Sequence, residues 1–234
     1  MRARLLNVYI ARLLSFDADK LDVIQKLLED SALQQLILPA KIYTTGDNSV
    51  RVTSVQQVLE VFDLEAQQRQ AQQEQKQAEK KPIMVLTLYS ENGLELSFTF
   101  YFTGAVLPCV VLFKFNSEHI TSGVVSLRTF SRLIEHGIEG FNLDHATVYD
   151  DATIPYPQGL KYFKGPQGRR YPVQLGWINY FGVALVDFIG RDKFEHLQGY
   201  HMRLHDSGGI TLTYARDVAL FEYDYQTEEA HTLE

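Results

Sequence analysis

Three histidines fall close together, His196, His201 and His205, and neutral imidazole is a common ligand for zinc. His201 and His205 are four apart, the spacing that aligns two ligands on one face of a helix. The local alternation Tyr200-His201-Met202-Arg203-Leu204 instead reads as a strand. Residues four apart on a strand stand roughly 13 Å from each other along it, too far to share one zinc. No metal site and no cofactor are expected, and these histidines are read as surface or packing residues.

A second grouping sets carboxylates beside an imidazole: Asp144, His145, Asp150 and Asp151. Acid–base catalysis needs such residue types within hydrogen-bond reach of a substrate. No nucleophile or oxyanion donor set accompanies them. They fit solvated loop charges, an acidic partner-binding patch or an unrecognised active site. The patch would join Asp150 and Asp151 to Glu222 and Asp224, with Tyr149 as an aromatic contact. If 222–226 is extended, Glu222 and Asp224 share one face while Tyr223 and Tyr225 turn inward.

Cations alternate with aromatics in Lys161-Tyr162-Phe163-Lys164 and Arg169-Arg170-Tyr171, a pattern that single-stranded nucleic acid can exploit. The chain as a whole carries a net charge of -7, which repels a polyanion, so nucleic-acid binding is not expected. Phosphate loops, dinucleotide fingerprints, nucleophile elbows and paired-histidine zinc helices are all missing from the sequence. Gly208-Gly209 is read as the positive-φ residues of a tight turn.

The elements that must position these residues follow from periodicity. Asp17 and Asp19 precede Leu21, Ile24, Leu27 and Leu28, which is helical spacing. Thr53 or Ser54 opens a second helix through Val55, Val58, Leu59 and Phe62. It continues into a Gln-rich stretch, about 65–81, that favours helix but has almost no apolar face; it is expected to be a solvated extension ending at Pro82. Ile83–Tyr89, Leu94–Phe102 and Cys109–Phe115 predict an antiparallel meander. A helix carries Leu127, Phe130, Leu133 and Ile134 and is expected to end near Gly137. A short strand Ala146–Tyr149 leads into 150–172, whose prolines and glycines predict loop alone. Val173–Phe181 reads as a strand with Trp177 a core anchor, then a helix over 183–197 broken near Gly190. Tyr200–Leu204 and Ile210–Tyr214 flank Asp206-Ser207-Gly208-Gly209, a hairpin. The sum is one α+β domain over 1–234: an antiparallel sheet with helices packed against it, largely from the N-terminal third.

With 45% hydrophobic and 22% charged residues the composition is that of a globular chain. No segment reaches the roughly 18 uncharged apolar residues of a membrane span. The single cysteine, Cys109, sits in an apolar run and cannot form an intramolecular disulfide, so a cytoplasmic setting is expected. The acids crowd beyond Asp217, where no Lys or Arg occurs, while 152–186 carries cations only. Such polarity bears on partners and encounter rates.

The order Gly176-Trp177-Ile178-Asn179-Tyr180-Phe181, then Gly190-Arg191-Asp192-Lys193-Phe194, then the Gly208-Gly209 hairpin resembles the C-terminal part of the immunity protein 52 family. Those proteins are antidotes encoded beside bacterial polymorphic toxins. The resemblance covers roughly residues 173–215. It implies an inhibitor of a cognate toxin, often a nuclease delivered by a secretion system. It carries over no catalytic residue, and it implies structural roles for Gly176, Trp177, Gly208 and Gly209. An acidic inhibitor would also be drawn to the basic cleft of a nuclease. A small enzyme with a site near Asp144–Asp151, or an adaptor using the Gln-rich helix, are the alternatives.

Overall fold

The computed structural model describes residues 5–12, 25, 27–29, 31–44, 49–75, 83–101, 109–116, 119, 127–141, 143–150, 162–168, 170–172 and 175–214. Its centre is the meander that the sequence predicts. Strands β4 (Ile83–Ser90), β5 (Glu95–Tyr101) and β6 (Cys109–Asn116) pair antiparallel in sequence order. The N-terminal strand β1 (Leu5–Arg12) lies between β6 and β7 (His145–Asp150). Beyond β7 come β10 (Ile178–Phe181), β12 (Ile210–Tyr214) and β11 (Tyr200–Leu204). At the opposite end β2 (Ala40–Tyr43) and β3 (Ser49–Val52) extend the sheet from β4. The result is one ten-stranded sheet, ordered β11-β12-β10-β7-β1-β6-β5-β4-β2-β3, with every pairing antiparallel.

Successive strand residues point to opposite faces, and one face is apolar along most of the sheet. Ala40, Ile42, Leu86, Leu88, Leu96, Phe98, Phe113, Phe115, Ala146, Val148, Ile178 and Tyr180 are all buried there. Helices α1 (Ser31–Ile37), α2 (Val55–Gln75) and α3 (Leu127–Phe141) complete this core with Leu33, Ile37, Val58, Phe62, Phe130, Leu133 and Ile134. Ser54 starts α2, its Oγ accepting the Gln57 N–H, while the Gln57 side chain accepts the Thr53 N–H. The two bonds satisfy donors that a helix start leaves open. In the Gln-rich part, Gln67, Gln68 and Ala71 are exposed and the helix runs to Gln75; 76–82 lie outside the described residues.

A second, smaller core lies on the other face, at the C-terminal end only. Helices α4 (Val183–Ile189) and α5 (Arg191–Glu195) press Leu185, Val186 and Phe194 onto Phe181, Ile210 and Leu212. Gly190, with φ at +96°, breaks the two helices apart where the sequence suggests an interruption. Tyr171 joins this core from a two-stranded ribbon, β8 (Tyr162–Lys164) with β9 (Arg170–Pro172).

Three local expectations need correction. The ribbon β8–β9 occupies part of the stretch expected to be loop; Pro166 and Gly168 fall in its turn, not in its strands. Helix α3 passes Gly137 and ends at Phe141. Over the described part of 173–181, strand β10 is only Ile178–Phe181, because Gly176 and Trp177 form a turn against β7; 173 and 174 lie outside the described residues. Strands β2 and β3 are two short segments that periodicity alone does not bring out.

Candidate partner-binding surface

The carboxylates expected to contact a partner are largely beyond view. Asp150 closes β7 opposite Leu6; Asp151, Glu222 and Asp224 lie outside the described residues, as do Glu228, Glu229, Tyr223 and Tyr225. Tyr149 is only 4% exposed. On β7 it pairs with Asn7 of β1, and its burial leaves little of the side chain to meet a partner.

The four residues expected to be structural each meet a physical constraint. Trp177 is 8% exposed and packs in the main core. A Cβ on Gly176 would lie 2.1 Å from the Val148 carbonyl oxygen, so any side chain there drives β7 away. Gly208 has φ at +85° in the hairpin turn, whereas Gly209 is required by contact: a Cβ would sit 2.5 Å from the Tyr180 hydroxyl. Only the first of the two glycines serves the positive φ expected of both.

Asn179, which sequence reasoning passed over, ties the Gly-Trp turn to the sheet. It is fully buried; its Oδ1 accepts the Gly176 N–H at 2.8 Å and the Thr147 hydroxyl at 2.9 Å, and its Nδ2 donates to the Gly176 carbonyl at 2.8 Å. The signal was present as a lone amide in the apolar run Trp177-Ile178-Asn179-Tyr180-Phe181. A buried amide must be hydrogen-bonded.

The groups that could do acid–base chemistry come together only in part. His145 is buried among aromatic rings, with Tyr171 at 6.1 Å and Phe181 at 5.5 Å between centroids; burial holds its pKa down to about 4. Asp144 instead lies near Tyr180, whose phenol is pushed above its ordinary value, first by burial and further by that carboxylate, against a Ser207 hydrogen bond. His205 Nε2 lies 2.7 Å from the Thr211 hydroxyl, and burial, then Arg203, lower its pKa. A hydroxyl–imidazole pair resembles a nucleophile and its base, but that role also requires an orienting carboxylate on the ring. No such bond is present among the described residues, and a raised Tyr180 pKa keeps the phenol protonated. These contacts lock the β11–β12 hairpin onto β10. His201 is exposed, and no group of three or more His, Cys, Asp or Glu among the described residues could hold a metal ion.

Among the described residues, one face of β2, β4, β5 and β6 carries side chains that are exposed or half-buried. Opposite the main core, cross-strand pairing builds two rows. One runs Arg51, Lys41, Tyr89, Glu95, Lys114; the other runs Ser49, Tyr43, Thr87, Ser97, Leu112. Tyr43 and Tyr89, 41% and 46% exposed, meet edge to face at 5.2 Å. Lys114 donates to Glu95 at 2.7 Å, the Ser97 hydroxyl reaches the same carboxylate at 3.4 Å, and Thr87 and Ser97 share a hydrogen bond of 3.1 Å. Arg51 donates through Nε and Nη2 to one Glu91 oxygen. Thr87 and Ser97 are short and half-buried, whereas the tyrosine pair is exposed. Tyrosine presents large contact area at low entropy cost, so this surface suits recognition.

No protein-family model matches the chain, and no curated protein matches it at a meaningful level of similarity. Among the described residues no helix is long and apolar enough to cross a membrane.

Proposed function

We propose that this protein is an immunity protein acting in the cytoplasm: it binds a cognate secreted bacterial toxin, a nuclease, and occludes the active or substrate-binding site. The observation that carries the binding role is the sheet face with its exposed Tyr43–Tyr89 pair, backed by helices on the opposite side. The resemblance over 173–215 supplies the class of partner. The net charge of -7 supports it too, since an acidic inhibitor associates quickly with a phosphate-binding cleft. On this reading Asp150, Asp151, Glu222 and Asp224 steer the encounter while the tyrosine face provides contact.

The test is growth rescue. The chain is co-expressed with the nuclease encoded beside it, and survival is scored with and without it. Rescue, with a stoichiometric complex on gel filtration, is expected. Cell death at equal expression of both proteins would overturn the reading. Charge reversal at Asp150 and Asp151 should slow association at low salt and leave thermal stability nearly intact.

A further inference from the structure

Strand β11 is the last described strand at its end of the sheet, and it is laid down as if another should follow. The register with β12 puts Met202 opposite Leu212 and Leu204 opposite Ile210. All four therefore share the face that holds the smaller core. Leu212 and Ile210 are fully buried, yet Met202 and Leu204 are 43% and 51% exposed. The apolar layer thus continues past the last described strand into solvent. The hairpin also fixes which backbone groups are open. His205 donates to the Gly209 carbonyl, and antiparallel pairs alternate between bonded and non-bonded. His201 and Arg203 consequently bond to β12, while the N–H and C=O of Met202 and Leu204 point outward. Edge strands are often blunted by Pro, a bulge or charged side chains; β11 has no Pro and no bulge in its five-residue run, and its charged residue, Arg203, is paired with Glu135.

We infer that the outer edge of β11 takes up an extended segment of a partner protein as an added antiparallel strand, one that alternates acidic and apolar residues. The apolar positions would cover Met202 and Leu204, and the acidic ones would meet Arg203 on the other face. Arg203 bonds Glu135 through Nη1 at 2.7 Å while the residue stays exposed, and a guanidinium has further donors for a second carboxylate. A second copy of this chain fits less well. Pairing that satisfies the outward groups sets Arg203 against His201 or Arg203 of the other copy, never against a carboxylate. Addition of a strand to an open edge is an established mode of peptide recognition, and the inference stands independently of the immunity reading.

The probe is a synthetic octapeptide alternating glutamate and valine, compared with its lysine–valine counterpart, added to the full chain. Amide hydrogen exchange at Met202 and Leu204 should slow at least tenfold with the glutamate peptide and stay unchanged with the lysine one. Met202→Pro removes an outward N–H without touching the β12 ladder and should abolish peptide binding at unchanged Tm. Arg203→Gln, which tests the charge without altering the backbone, should weaken binding severalfold. Equal protection by both peptides, or no protection by either, would overturn the inference. So would protection that appears on concentrating the protein alone, because the occupant would then be a second copy.

Discussion

On β2, β4, β5 and β6 the sheet has helices on one face and Lys41, Tyr43, Tyr89, Glu95 and Lys114 on the other. On β7, β10 and β12 both faces are covered, and the positions continuing the polar rows are Thr147, Asn179 and Leu212, all buried. The pleat is the same in both regions; what differs is whether α4, α5 and the β8–β9 ribbon arrive to cover it. The covered region has to satisfy every polar group internally, and Asn179 does so for the Gly-Trp turn. The open region meets that demand through water and cross-strand pairs, so its residues are free to be chosen for contact. Substitutions should therefore act on folding in one region and on binding in the other.

The largest effect is expected at Gly176. Gly176→Ala places a methyl against the Val148 carbonyl and should destabilise the fold by about 3 kcal/mol, read as a lowered urea midpoint. A wild-type midpoint in that variant would mean that the Gly-Trp turn yields without disturbing β7.

Acid sensitivity should also belong to the covered region. The pKa of His145 is lowered from 6.5 to about 4 by burial. Below pH 6.5 the unfolded chain takes up a proton that the folded chain refuses. Stability is thus full above that pH and falls as the pH drops through about 4, by about 3 kcal/mol in all. His145→Leu should remove this part of the acid limb in midpoints measured from pH 7 to 4.5. Parallel acid limbs for the two proteins would show that the imidazole is not the group responsible.

Asn179→Ala leaves the Gly176 N–H and the Thr147 hydroxyl without their buried acceptor and should cost about 2 kcal/mol. Asn179→Asp, which keeps the acceptor oxygens, should recover part of the stability if those two bonds are what matters. The measurement is again the urea midpoint, compared between the two variants.

Much of this architecture was legible in the sequence. The meander and the Gly208-Gly209 hairpin announce themselves through alternation and turn residues, and the break at Gly190 through its glycine. The short strands β2 and β3 do not. Each is four residues long, and Lys41-Ile42-Tyr43 becomes a strand because β4 pairs with it. The ribbon β8–β9 hides among prolines and glycines because it is held by rings: Phe163 lies between Tyr171 and the exposed Phe188, at 5.7 Å and 6.4 Å. The open face was half legible. Thr87-Leu88-Tyr89 shows which residues oppose each other across the pleat, but which side the helices take is decided by tertiary packing. The expected acidic patch is legible only as a local concentration of carboxylates, which bears on encounter more directly than on contact.

The most direct test of the division between a folding region and a binding region is the double variant Tyr43→Ser, Tyr89→Ser. Its Kd for the proposed nuclease partner is measured by isothermal titration alongside its Tm. At least a hundredfold loss of affinity is expected, as for paired aromatic anchors at an interface, with stability changed by about 1 kcal/mol or less. Wild-type affinity in a normally folded double variant would contradict this division and move the contact surface elsewhere on the molecule.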